Sequence, residues 1–210
     1  MPTITAIKRQ RHSQRRVNID LNGTFAFGLA LNQTDFLHVG QTLTSAEIED
    51  LLTQDKVEKA FQKAVNYISH RPRTETEVRR RLRKVTSDHN IIDVVMVRLL
   101  KSKLVDDKAF ADFWIENRNA FRPRGRKALR FELRAKGIDH NIIEETIQKV
   151  DDTTAASDAA MRRAPRLAKL PEREFRRKLQ AFLRRRGFNY AVIASVVDEI
   201  VTNLVFTDYE

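Results

Sequence analysis

The side chains with the most chemical content in this chain are cations repeated at fixed places on amphipathic runs. Arg83, Arg134 and Arg184 each stand five residues after an apolar anchor, Val78, Leu129 and Leu179 respectively. With the anchors at the origin of a helical wheel, all three arginines fall at about 140°, turned from the core. Arg79 and Arg130 fall at about 100°, and Lys127 and Arg177 at about 160°. Arg122, Arg124 and Arg173 stand at the beginnings of the same runs. Guanidinium groups grip phosphate and carboxylate oxygens with paired hydrogen bonds. Equivalent rows of them therefore suit a nucleic-acid backbone or an acidic protein surface. The competing use is internal, as partners for Glu144, Glu145, Asp198 and Glu199 in the helices that follow.

Phe131 interrupts this basic face at about 200° on the same wheel. Its repeat equivalents are Arg80 and Ala181, so the repeat itself does not demand an aromatic there. It is either buried in a seam with a neighbouring module, which the general burial of phenylalanine favours, or an exposed anchor among arginines. On an exposed ring, bases could stack.

Little else here could do chemistry. The chain has no P-loop, dinucleotide fingerprint, HExxH or nucleophile elbow. The histidines, at 12, 38, 70, 89 and 140, show no metal-ligand spacing. His89 and His140 occupy one repeat position beside an aspartate, as residues at a helix start would. No catalytic residue, no cofactor site and no metal site is expected, and the chain reads as a protein that is not an enzyme. The absence of cysteine fits a reducing compartment. No apolar run approaches the roughly 20 residues of a membrane helix, and no secretory leader is visible. The expectation is a cytoplasmic protein with no membrane association. A net charge of +11 asks for a polyanionic or acidic partner.

The elements that position these cations repeat. Arg71 and Arg122 are 51 residues apart, as are His89 and His140, and Gly137 and Gly187 are 50 apart. Such self-similarity marks a tandem array. Each copy reads as three helices, near 57–70, 75–86 and 90–103, then 107–120, 125–136 and 140–150, then 153–164, 172–186 and 190–204. In the middle copy Leu129 and Leu133 make the buried stripe of the second helix, and Gly137 supplies a left-handed C-cap. Asp139 caps the third helix, with Ile142, Ile143, Ile147 and Val150 facing inward. Thr74 with Glu77, and Thr44 with Glu47, form capping-box patterns. The third helix of the first copy is apolar on most sides and is expected inside the assembly.

Before the array, Ile4–Ile7, Val17–Leu21 and Phe25–Leu29 alternate like strands, and Asn22-Gly23 signals a hairpin. Lys8, Arg9, Arg11, Arg15 and Arg16 read as the link between the first two strands. The expected fold is thus mainly α, a curved, elongated array of three three-helix modules after a small β-hairpin region. Its divisions are a hairpin region at 1–43, a short linking helix at 44–56, and modules at 57–106, 107–152 and 153–210.

Leu104-Val105-Asp106-Asp107-Lys108-Ala109-Phe110-Ala111 resembles the L-x-D-D-x-x-F-A run of the RecX regulatory family. The segment from Arg122-Pro123-Arg124-Gly125 through Leu129 and Leu133 to Lys136-Gly137-Ile138 is similar to that family's next motif. Arg71, Thr74, Glu77, Val78 and Leu82 resemble its first repeat, and the likeness covers about 57–200. Lys103 departs from it, standing where the family usually has glycine. The resemblance implies a noncatalytic, cofactor-free regulator that binds the groove of the RecA–DNA filament. Such a protein usually inhibits ATP hydrolysis, strand exchange and coprotease activity in DNA repair, recombination and the SOS response. The implied partners are the RecA filament and single- or double-stranded DNA, met directly or through the filament, with the chain acting as a monomer. The alternative from the residues alone is an independent DNA- or RNA-binding protein.

Overall fold

The structure, a computed structural model, describes residues 1–11 and 13–203. Among these residues it holds nine α-helices and one three-stranded antiparallel sheet. The chain divides into two compact units, Met1–Arg71 with Val78–Val105, and Pro72–Glu77 with Asp106–Glu210. His12, and the end of the expected third module from Leu204, lie outside the described residues.

The first unit opens with strands β1 (Ile4–Gln10), β2 (Ser13–Leu21) and β3 (Thr24–Ala30). Asn22 and Gly23 both take positive φ, 49° and 84°, as the tight hairpin turn requires. Val17, Ile19 and Leu21 alternate inward and bury with Phe27 and Leu29. The basic residues read as a link are a correction: Lys8 and Arg9 belong to β1, and Arg15 and Arg16 to β2. Pairing continues through Lys8 with Asn18 and Arg9 with Val17. One face of an antiparallel pair can stay in water, so charges there do not end a strand.

Helix α1 runs unbroken over Ser45–Ile68, where a short linking helix and a separate first module helix were expected. No glycine or proline interrupts 45–68, and the Thr44–Glu47 capping box opens the helix. Its first half packs Ile48, Leu51 and Leu52 on the sheet, and its second half packs Ala60, Phe61 and Ala64 on the next two helices. Between them lies Asp55, which is buried and breaks the apolar stripe in the sequence. Arg16 bonds it at 2.8 and 3.1 Å and Lys59 at 2.7 Å, which neutralises the buried charge.

Helices α2 (Glu75–Leu82) and α3 (His89–Lys101) complete the first core. α2 stops before residue 86, the expected end, because Thr86 stands where the later copies have a C-capping glycine. α3 buries Ile91, Ile92, Val95, Met96 and Leu99. Its other side departs from the expected interior position: Val94 and Val97 are exposed, 53% and 63%. After α3, Lys103 takes φ +56°, the left-handed conformation that glycine adopts without strain.

The second unit holds α4 (Asp107–Phe121), α5 (Arg126–Ala135) and α6 (His140–Gln148) around one core. Its other core joins α7 (Asp152–Arg163), α8 (Glu172–Arg185) and α9 (Tyr190–Asn203). Leu129 and Leu133 are fully buried, as are Leu179 and Leu183, and Gly137 and Gly187 take positive φ. Each Asp-Asp pair divides its labour. Asp106 caps α4 through the Ala109 N–H and Asp151 caps α7 through Thr153 and Thr154. Asp107 instead accepts the Glu75 N–H and Asp152 the Arg126 N–H, both at 2.8 Å. The second aspartate thereby ties the start of one module's first helix to the start of the preceding module's second helix. Burial pushes both of these carboxyls above the ordinary aspartate range, only partly opposed by the N–H bonds.

Candidate basic interface

In the second unit, second helices meet end to end. The Gly125 N–H, at the start of α5, donates to the Arg186 carbonyl at the end of α8, 3.0 Å away. Arg186 in turn donates from Nη1 to the Pro123 carbonyl at 3.0 Å. At the other end of α5, the buried Thr74 hydroxyl accepts the Glu77 N–H at 3.2 Å and donates to the Lys136 carbonyl at 2.9 Å. Lys136 Nζ pairs with Glu77 at 3.0 Å. A helix C-terminus thus faces a helix N-terminus at each junction, the favourable sense for their dipoles. Closeness at the α5–α8 junction needs glycine for space, since a Cβ on Gly125 would meet the Gly187 carbonyl.

The cations expected on the second helices divide by wheel position. Arg79 and Arg130 are committed within their modules, which corrects their place in a free basic face. Arg79 pairs with Asp93 of α3 at 2.7 Å, and Arg130 grips Glu144 of α6 at 2.7 and 2.9 Å. The bond from Arg130, more than the opposing burial, holds the Glu144 carboxyl below its usual range. In the third module Gln180 cannot make this pair, and Arg176, one turn earlier, pairs with Asp198, one turn later than the repeat position on α9. Because the two helices run antiparallel, opposite one-turn shifts bring the charges back together.

Arg83, Arg134 and Arg184 are exposed and make no ion pair among the described residues. Lys127, Arg122 and Arg173 are exposed as well. Arg177 lies 3.7 Å from Glu174 with its side chain 74% exposed. Arg124 is half-exposed and pairs with Glu132 at 2.9 Å. Phe131 is 74% exposed, so the buried seam is the wrong reading for its ring. It belongs to neither core of the second unit and stands beside Lys127 and Arg134 in wheel position.

The structure adds residues that the sequence reading missed. Arg162 donates to the carbonyls of Ala120 and Phe121 at 3.1 and 3.4 Å, at the end of α4. Burial, and then the charges of Arg124, Arg122 and Arg162, lower the proton affinity of Arg186. Glu132 is shared by Arg118, Arg124 and the Trp114 N–H, so it offsets only part of the charge. Phe121 beside this cluster is 74% exposed. Arg184-Arg185-Arg186 before Gly187 was the available signal for Arg186; the α4 carbonyls that gather Arg162 follow only from the folded chain. Among the described residues, no group of histidines and carboxylates could hold a metal ion, and no helix is long and apolar enough to cross a membrane.

The modules carrying these residues match three family models: residues 60–99 the first three-helix domain of RecX, 106–147 the second and 151–197 the third. The regulatory protein RecX of Bacillus licheniformis is 32% identical over 216 residues, covering 100% of this chain and 79% of that one. That of Bacillus subtilis is 31% identical over 205 residues, covering 95% and 78%. A crystal structure of a regulatory protein RecX superposes with a TM-score of 0.78 at 26% identity, over 94% of this chain and all of that one. The likeness to the solved structure takes in the N-terminal unit as well as the three helical domains, and this chain belongs to the RecX family of regulatory proteins.

Proposed function

We propose that the chain is a noncatalytic, cytoplasmic regulator that acts as a monomer on the RecA–DNA filament and inhibits its ATP hydrolysis, strand exchange and coprotease activity. The observation that carries the reading is the exposed set Lys127, Phe131, Arg134 and Arg184 on helices where, among the described residues, Arg130 and Arg176 alone are committed to pairs with the following helix. Cations without internal partners on a packed scaffold are free to meet an outside partner, and an aromatic among arginines is the composition of an interaction hot spot. Contact with more than one filament subunit would raise the free-energy cost of the rearrangements that accompany nucleotide turnover.

The test is RecA ATPase on single-stranded DNA, titrated with substoichiometric amounts of this protein. ATP hydrolysis should fall, and Phe131→Ala with Arg134→Ala should demand at least about tenfold more protein at an unchanged melting temperature. ATPase that is unaffected at equimolar protein would remove the proposal. The second reading, an independent nucleic-acid binder, draws on the cluster of Arg122, Arg124, Arg162 and Arg186 beside exposed Phe121. It predicts full affinity for bare DNA without RecA.

A further inference from the structure

The first unit contains an open cavity of about 570 Å³ between the sheet and α1, remote in sequence from the second-helix cations. That volume falls within the range of small-molecule sites, about 300–1,000 Å³. Arg15, Arg16, Lys59 and Lys63 line it, and Ala30 and Leu31 give it an apolar wall. Its one acidic lining residue, Glu58, is committed to Arg98 at 2.6 Å and to Gln62 at 2.9 Å. Asp55 lies buried beneath, and its two bonds to Arg16, with a third from Arg16 to the Gly28 carbonyl at 2.9 Å, fix that guanidinium in place. Three of its five N–H groups are so used, which leaves two. Arg15 and Lys63 are exposed and make no ion pair among the described residues.

Asp55 takes up part of the charge of Arg16 and Lys59, and Glu58 is committed to Arg98, so Arg15 and Lys63 leave the rim with a net positive charge. The sheet and α1 are already joined by Ile48, Leu51 and Leu52 and by the Asp55 pairs, and Arg15 and Lys63 take no part in either. The Arg15 guanidinium, the ammonium groups of Lys59 and Lys63, the remaining N–H groups of Arg16 and an apolar wall together match an anion of several charges joined to an apolar body.

We propose that this cavity binds a phosphorylated organic anion of nucleotide size, its phosphates held by Arg15, Arg16, Lys59 and Lys63 and its body laid against Ala30 and Leu31. A free nucleoside polyphosphate and the phosphorylated end of a nucleic-acid strand share this chemistry. The experiment is a calorimetric titration of the full chain at about 150 mM salt, with ATP in one arm and a 5′-phosphorylated single-stranded oligonucleotide in the other. Two double variants accompany it, Arg15→Ala with Lys63→Ala at the cavity, and Arg134→Ala with Arg184→Ala on the second helices. All four side chains are exposed, so folding is expected to survive, and melting curves verify it. The expected result is saturable one-to-one binding of ATP that weakens at least about tenfold in the cavity variant and is unchanged in the helix variant. The same pattern with the oligonucleotide alone supports the site and assigns it to strand ends. Absence of saturable binding in both arms, or equal weakening in both variants, would overturn the proposal.

Discussion

Asp55 shows how one side chain shapes the chain around it. Burial pushes its carboxyl up, but the hydrogen bonds and charges of Arg16 and Lys59 outweigh burial and leave it below the ordinary aspartate value. A carboxyl lowered in the folded state stabilises the fold above its unfolded pKa of about 3.9. That contribution is lost as pH falls through the folded value. Asp55→Asn should therefore cost about 3 kcal/mol at neutral pH, as a broken buried pair does. The deficit should shrink as pH falls below about 3.9, where the wild-type carboxyl also begins to protonate. Denaturant unfolding of both proteins across this range checks it; a deficit independent of pH would mean the ion pair is not its source. The same residue explains a misreading. Its charge breaks the apolar stripe of α1, so periodicity divides one helix into two, and only the distant Arg16 shows why a buried aspartate is tolerated there. Arg130 follows the competing internal use that the sequence also offered, with Glu144, whereas Asp93, the partner of Arg79, was not among the carboxylates the spacing picked out.

At the scale of elements, what sequence could show was what is local and periodic. Leu129, Leu133 and Gly137 carry both the stripe and the cap of α5, and all three do in the structure what their spacing implies. The junctions between elements were not legible, since Thr74 and Lys136, or Gly125 and Arg186, lie some sixty residues apart in the chain. Asp106-Asp107 was visible within a motif, but the reach of Asp107 to the preceding module was not. Gly125 tests the end-to-end junction directly. Its φ of −74° suits any residue, so glycine is required there by space alone. A Cβ would stand 2.6 Å from the Phe188 nitrogen and closer still to the Gly187 carbonyl. Gly125→Ala should destabilise the second unit by roughly 1–3 kcal/mol, the usual range for overpacking, seen as a lower unfolding midpoint. An unchanged midpoint would show that the junction yields without cost.

At the scale of the whole molecule, the central claim is that the exposed cations serve a protein-coated filament and that bare nucleic acid is the lesser partner. Net charge of +11 gives affinity for any polyanion, so binding at low salt cannot separate the two. Counterion release makes affinity for bare DNA fall steeply as salt rises, whereas contacts through Phe131 and arginine–carboxylate pairs with a protein depend on it less. The most direct measurement is the affinity of this chain for preassembled RecA–DNA filaments and for the same DNA uncoated, both at about 150 mM salt. The filament should be bound at least about tenfold more tightly. Equal affinities would contradict the account and leave an independent nucleic-acid-binding protein in its place.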